Sequence, residues 1–375
     1  MGPRTRILAR TGADRHKSRI VYIAYQTGVG GMFRQCVLVT GGSGFIGGHV
    51  ILEALARGHR VRATVRTLDR AESVRAALTT AGMTAGDRLE FAAADLTCDD
   101  GWPEALDGIG HVIHVASPVM PGHVEDETQI IDPAREGTLR VLRAASAAGV
   151  TRVVLTSAFH AVAWGHPHDG HVFTEEDWTV PDGPGTDAYG RSKTLAERAA
   201  WEFTAAGGGH PELVTLLPVA VMGAALGTQL SGGNLMIQRL LAGSVPGLLN
   251  LSFPVVDVRD VAAAHVTAMT APEAAGQRIL LGSDPALTMA QIAEILRTEL
   301  GPAADRVPAQ TIPDDAVRAG AATSPALASA AQNLGYTRHF TTDKAHRILG
   351  WNPRPSAEAV ASAGRSMVDK GLVDR

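Results

Sequence analysis

At 375 residues, with 45% apolar and 19% charged side chains, the chain is long enough for one large α/β domain or two smaller ones. A formal charge of -4 gives no basic footprint for nucleic acid, no apolar run reaches the ~18 residues of a bilayer span, and Cys36 and Cys98 are too few for a disulfide framework. The expectation is a soluble, cytoplasmic globular protein, monomer or homodimer, acting on a small molecule rather than on nucleic acid or a membrane.

The first 33 residues carry Arg4, Arg6, Arg10, Arg15, Lys17 and Arg19 against one acid, Asp14. Their apolar stretch, Ile20 to Tyr25, is shorter than the ~7 to 15 residues of a secretory core segment, so residues 1–33 read as a basic extension, disordered or over-translated, rather than a leader. An apolar strand then runs from Val37 and breaks after Thr40 into Gly41-Gly42-Ser43-Gly44-Phe45-Ile46-Gly47. Gly41 suits a tight turn, Gly44 lets a pyrophosphate approach the backbone, and Gly47 lets the next helix pack close on the strand. The helix start around Phe45 and Ile46 offers free N–H groups and a positive dipole end to the phosphates. A helical stripe, Ile46, Val50, Leu52 and Leu55, ends at Gly58, and a strand from Val61 to Val65 completes a β-α-β unit built for a dinucleotide. That second strand ends in Arg66, where NAD sites place a carboxylate for the ribose 2′-hydroxyl. A guanidinium there fits a 2′-phosphate, while Asp69 lies beyond it in the turn, so NADP(H) is the expected cofactor.

The alternation continues with a helix from Glu72 to Gly82, a strand from Leu89 to Ala94, a short helix from Trp102 to Leu106 and a strand from His111 to Ala116. A long helix from Asp126 to Ala148, a strand from Arg152 to Thr156, a helix from Ala188 to Ala206 and a strand from Leu213 to Leu217 follow. Strands alternating with helices imply right-handed crossovers and a doubly wound, parallel, Rossmann-like α/β sheet covered on both faces. Ligands bind beyond the carboxyl ends of such strands, which marks Gly41 to Gly47, Arg66, Asp95, Ala116 to Pro118, Ser157 and Pro218. The nucleotide-binding domain is placed at 34–223. From 224 to 375 the alternation loosens into a smaller C-terminal substrate domain that includes a helix from Met289 to Leu300 and sends segments back to the main sheet. The stretches Gly165 to Pro184 and Thr311 to Phe340 read as loops or short helices over the cleft.

Tyr189 and Lys193 open the helix after the loop that follows Ser157, and a spacing of four places them on one face, one turn apart. An unperturbed phenol titrates at ~10, and a neighbouring ammonium is expected to lower that value. His166, His168 and His171 flank Asp169, but a Gly/Pro loop offers no geometry to converge them, and no metal site is expected.

With these pieces the chain resembles the extended short-chain dehydrogenase/reductase family, within the NAD-dependent epimerase/dehydratase superfamily. It looks most like the branch of dihydroflavonol reductases, cinnamoyl-CoA reductases and microbial NADPH-dependent aldehyde and ketone reductases. The residues that carry the likeness are Val39 to Gly47, Val61 to Arg66, Ala94-Asp95-Leu96, His114 to Pro118, Tyr189 with Ser192 to Glu197, and Val256 to Val261. The resemblance implies reduction of a carbonyl to an alcohol, with Tyr189 as proton donor and Lys193 tuning it and holding the ribose. It also implies that Asp95 and Leu96 flank the adenine, that Ala116 lines the nicotinamide ribose, and that Pro218 and Val221 border the carboxamide. Rival readings are a hydroxysteroid-type dehydrogenase, a nucleotide-sugar epimerase or dehydratase, which Arg66 disfavours, and a non-enzymatic NADP-sensing regulator, which the Tyr189/Lys193 pair disfavours.

One position departs from the family. After the fifth strand most members read Thr-Ser-Ser, the second serine being catalytic, and here the chain reads Thr156-Ser157-Ala158-Phe159-His160. Because neighbouring side chains of a strand face opposite ways, Ser157 can serve only if the strand has already ended. The expectation is that it has and that Ser157 reaches the cleft as a catalytic residue, with a backbone amide or His160 as the fallback donor.

Overall fold

The computed structural model of the protein describes residues 36–118, 126–230 and 232–373, so the basic extension expected at 1–33 lies outside the described residues. In chain order the first half consists of β1 (Cys36–Thr40), α1 (Phe45–Ala56), β2 (Arg60–Val65), α2 (Asp69–Thr80), β3 (Leu89–Ala93), α3 (Trp102–Leu106), β4 (Ile109–His114), α4 (Thr128–Ala147), β5 (Arg152–Thr156), β6 (Val172–Phe173), α5 (Ala188–Ala206) and β7 (Glu212–Pro218). The second half adds β8 (Ala220–Met222), α6 (Gly232–Leu241), β9 (Ser252–Asp257), α7 (Val258–Ala268), β10 (Arg278–Leu281), β11 (Ser283–Thr288), α8 (Met289–Leu300), α9 (Asp314–Gly320), α10 (Pro325–Ala331), β12 (His339–Phe340), α11 (Asp343–Leu349) and α12 (Ser356–Asp369).

Seven strands form one parallel sheet in the order β10-β7-β5-β4-β1-β2-β3. Its strands are apolar on both faces because both are covered. Val37, Val39, Ile113 and Val154 point into the layer that holds Ile51 of α1, Val74 of α2 and Val261 of α7. Leu38, Val112, Val153 and Leu155 point into the opposite layer, with Trp102 of α3, Leu142 of α4 and Ala200 of α5. The strand order reverses between β1 and β4, so the crevice for a ligand opens there, at the carboxyl ends.

A second, three-stranded sheet, β11-β9-β8, packs with α6, α8 and α12 around Ile237, Val255, Ile292 and Val360. Between β9 and β11 the chain returns to the large sheet, laying α7 against α1 and adding β10 beside β7. The stretches read from sequence as loops or short helices each contain one strand of a small parallel pair, β6 with β12, and the second also holds the short helices α9 and α10. β4 stops at His114 rather than Ala116, because the Ala116 N–H leaves the ladder to donate to Thr40 Oγ1 at 3.0 Å.

Candidate active site

The turn after β1 is a close-packed knot. Gly41 sits at φ 71°, and Gly44 N–H donates to the Gly41 carbonyl at 2.9 Å. A Cβ on Gly47 would stand 2.2 Å from that same oxygen, and one on Gly41 would stand 3.0 Å from Ala116 Cα. Thr64 of β2 fixes the turn from below, accepting from Gly42 N–H through its carbonyl at 3.0 Å and from Gly41 N–H through its hydroxyl at 3.2 Å. No side chain caps the start of α1, so the amide end around Phe45 and Ile46 is left for a ligand. In front of it lies a cleft of about 410 Å³, whose wall includes Ser43, Phe45, Arg70 and Leu226. A glycine turn with no room for a Cβ at Gly47, facing an uncapped helix end, fits a dinucleotide pyrophosphate.

Arg66 stands exposed just past β2 and makes no ion pair among the described residues, so its guanidinium is available to an anion. Arg70, in the first turn of α2, shares the cleft, and no motif in the sequence marks it. At the end of β3, Asp95 accepts from the Thr97 N–H and hydroxyl, both at 2.8 Å, and these bonds hold its carboxyl below the usual range. Leu96 packs toward α4, where a Cβ on Gly137 would be 2.9 Å from its own Cβ.

Beneath the turn, Thr40 accepts from Ala116 N–H, so its hydroxyl proton is free for His114 Nδ1 at 2.7 Å. That bond leaves the proton of a neutral imidazole on Nε2, which is buried and has no partner among the described residues. Burial, with Lys193 adding to it, pushes His114 down to about 3, so the ring is neutral at physiological pH.

Asp187 caps α5, its carboxylate accepting from Gly190 N–H at 2.7 Å, and so aims the first turn at the crevice. Tyr189 and Lys193 share one face there, with the ammonium 6.0 Å from the phenol ring centroid. Burial lowers Lys193 to about 8 even though Glu197, one turn further on, opposes it. Burial first, then the Asp187 carboxylate, raise Tyr189 to about 12. The expected lowering of the phenol by Lys193 is therefore not what the protein alone produces. The phenol is held protonated, which is the form that gives up a proton to a developing alkoxide.

Ser157 corrects the sequence expectation. Its N–H still pairs with Leu216 of β7 at 2.9 Å, and Ala158 is extended at φ -158° and ψ 156°, so strand geometry runs on past Thr156. The side chains keep alternating: Thr156 Oγ1 meets His265 Nε2 at 2.7 Å, while Ser157 Oγ donates to Glu197 at 2.7 Å. Glu197 lies two helical turns beyond Tyr189 on α5, and the single hydroxyl proton of Ser157 is committed to it. That carboxylate, buried completely, also takes Thr215 Oγ1 at 2.7 Å and Arg278 Nε at 2.8 Å. The side chain brought against the Tyr189 ring is instead His160, with ring centroids 4.9 Å apart.

Pro218 closes β7, buried, at the carboxyl edge of the sheet, and Val221 lies in β8, paired with Val256. The loop histidines go separate ways. His166 Nε2 meets the Trp178 carbonyl at 3.0 Å, His168 stacks on Tyr336 at 3.6 Å, and His171 pairs with Asp177 at 3.1 Å.

Comparison with known proteins agrees with this fold. The NAD dependent epimerase/dehydratase family model matches residues 37–282, which spans the large sheet from β1 to β10. The chain belongs to that family. Curated relatives include a tetraketide alpha-pyrone reductase of Arabidopsis thaliana, 35% identical over 70% of this chain and 82% of its own length. Cinnamoyl-CoA reductase 1 of Petunia hybrida is 36% identical over 70% and 76%, and a ketoreductase of Aspergillus niger is 31% identical over 91% and 99%. Among solved structures, yeast methylglyoxal/isovaleraldehyde reductase complexed with NADPH superposes with TM-score 0.72 at 25% identity, covering 90% of this chain and all of that one. Vestitone reductase from alfalfa gives 0.68 at 25% identity over the same share. These relatives place the chain in the extended short-chain dehydrogenase/reductase branch, and it is an oxidoreductase. Among the described residues no helix is long and apolar enough to cross a membrane.

Proposed function

We propose that this enzyme reduces an aldehyde or ketone to the alcohol, with Tyr189 as proton donor. The observation that carries this reading is the Tyr189/Lys193 pair at the mouth of the crevice, next to a glycine turn with no room for a Cβ at Gly47. NADPH, when bound, supplies the hydride. The glycine turn and the start of α1 hold the pyrophosphate, and Arg66, helped by Arg70, takes the 2′-phosphate in charge-assisted hydrogen bonds. Asp95 and Leu96 flank the adenine, Ala116 lines the nicotinamide ribose, and Pro218 with Val221 borders the carboxamide. Lys193 donates to the ribose hydroxyls and stabilises the phenolate left when Tyr189 gives its proton to the carbonyl oxygen. The layer of β8, β9 and β11 with its helices forms the far wall for the organic part of the substrate.

The names of the relatives favour reduction over epimerisation, and one assay separates the two. Aldehydes, ketones and β-ketoesters are offered with NADPH, and consumption is followed at roughly 340 nm, the absorbance used for nicotinamide reductions. Turnover with at least one carbonyl is expected. Tyr189→Phe should lower it by about 100-fold or more while NADPH binding is kept. Near-normal turnover in that variant refutes the mechanism.

A further inference from the structure

The reaction read above asks for a second hydrogen-bond donor beside the phenol, because charge gathers on the carbonyl oxygen before the proton arrives. Ala158 carries no hydroxyl, and that of Ser157 is spent on Glu197. His160 is placed to fill the gap. Its ring meets the Tyr189 ring edge-on at 74° and stacks on Trp164, with centroids 3.7 Å apart and planes at 16°. The Arg338 guanidinium, 4.3 Å from the Trp164 centroid and bonded to the Ala163 carbonyl at 3.0 Å, holds that indole in turn. The imidazole is therefore fixed by packing. Its backbone carbonyl is taken by the Thr179 hydroxyl at 2.7 Å, but neither ring nitrogen is engaged among the described residues.

Resting on the reductase reading, we propose that His160 supplies the hydrogen bond Ala158 cannot, donating its ring N–H to the substrate carbonyl oxygen alongside the Tyr189 phenol. Burial outweighs the Asp187 carboxylate and brings His160 down to about 4, so the ring is neutral at physiological pH, with one N–H to donate. No proton leaves His160. Tyr189 delivers the proton, the carbonyl carbon takes the hydride, and the imidazole only steadies the oxygen between the two. Stacking on Trp164 keeps this donor in place before substrate arrives, which is what makes such a hydrogen bond effective.

The test compares wild type, His160→Ala, His160→Phe, Ser157→Ala, Tyr189→Phe and the double variant His160→Phe/Ala158→Ser. Steady-state NADPH consumption is measured on the carbonyl that wild type reduces fastest, and NADPH affinity is measured by fluorescence titration. The phenylalanine variant keeps the stack but has no N–H. Its kcat should fall about 100-fold or more with NADPH affinity unchanged, and the serine of the double variant should return at least about 10-fold of the loss. Ser157→Ala should stay within a few-fold of wild type. The proposal is overturned if His160→Phe keeps wild-type kcat while Tyr189→Phe is inactive, since the donor then lies elsewhere. It is equally overturned if NADPH affinity falls in step with kcat, since the ring is then packing only. Should none of the carbonyls offered support NADPH consumption by wild type, the reductase reading fails and this inference fails with it.

Discussion

Replacing Gly47 with alanine adds one methyl at the tightest point of the phosphate cradle. The new Cβ would stand 2.2 Å from the Gly41 carbonyl oxygen, and carbon and oxygen tolerate no less than roughly 3.2 Å, so the turn has to open by about 1 Å. The oxygen cannot swing aside, because it already accepts from Gly44 N–H at 2.9 Å, while the Thr64 carbonyl and hydroxyl hold the next amides. Overpacking at such a site costs about 1 to 3 kcal/mol of stability. The larger effect falls on the cofactor: losing one well-aimed hydrogen bond to a phosphate costs about 1.5 to 3 kcal/mol, so the NADPH Kd should rise about 10- to 100-fold. Gly320→Ala is the internal control, since a Cβ there crowds only the Cδ1 tip of Leu327 at 2.6 Å, which a rotamer change relieves outside this cleft. Fluorescence titration with NADPH and thermal melts of both variants decide the matter. An unchanged Kd for Gly47→Ala, or equal damage from Gly320→Ala, would refute the claim that backbone contact at the turn shapes the site.

Arg66→Ala should weaken NADPH about 10- to 100-fold and leave NADH nearly untouched, because only the former brings a 2′-phosphate; equal weakening in paired titrations would make Arg66 a structural residue. Arg278→Ala strands the fully buried Glu197 without its cation and should cost about 3 to 5 kcal/mol in denaturant unfolding, where a loss under about 1 kcal/mol would show the carboxylate to be satisfied by Ser157 and Thr215 alone. His49, His160 and His265, each brought by burial from 6.5 to about 4, and His114, brought to about 3, stay neutral in the fold and take up protons on unfolding. Their contribution is complete above the unfolded value of 6.5 and is lost as pH falls toward the folded values, about 2 kcal/mol per ring by pH 5, so melts between pH 7 and 5 should drop steeply, and a flat profile would contradict the burial of these rings.

Features encoded within a few residues of one another are legible in the amino-acid sequence itself. The Gly41–Gly47 turn, the strand that leads into it, the helix that follows and the one-turn spacing of Tyr189 and Lys193 each follow from a local period or from a backbone conformation only glycine takes freely. The run of alternating elements then implies the doubly wound sheet, and Arg66 at a strand end implies the cofactor's phosphate. Direction and distance are not legible in this way. Ser157 turns toward Glu197 because the pairing of β5 with β7 continues one residue past Thr156, a property of the partner strand some 60 residues away and not of Thr156-Ser157-Ala158 itself. Arg70 joins the phosphate cleft only because α2 packs beside the glycine turn. Glu197 finds Arg278, and His160 finds Trp164 and Tyr189, through folding that brings separate loops to one end of the sheet. Composition and periodicity determined which elements this chain forms and where a nucleotide would lie; only tertiary packing decided which side chains meet at the crevice, because strand register and helix contact, summed over distant residues, set where each of them points.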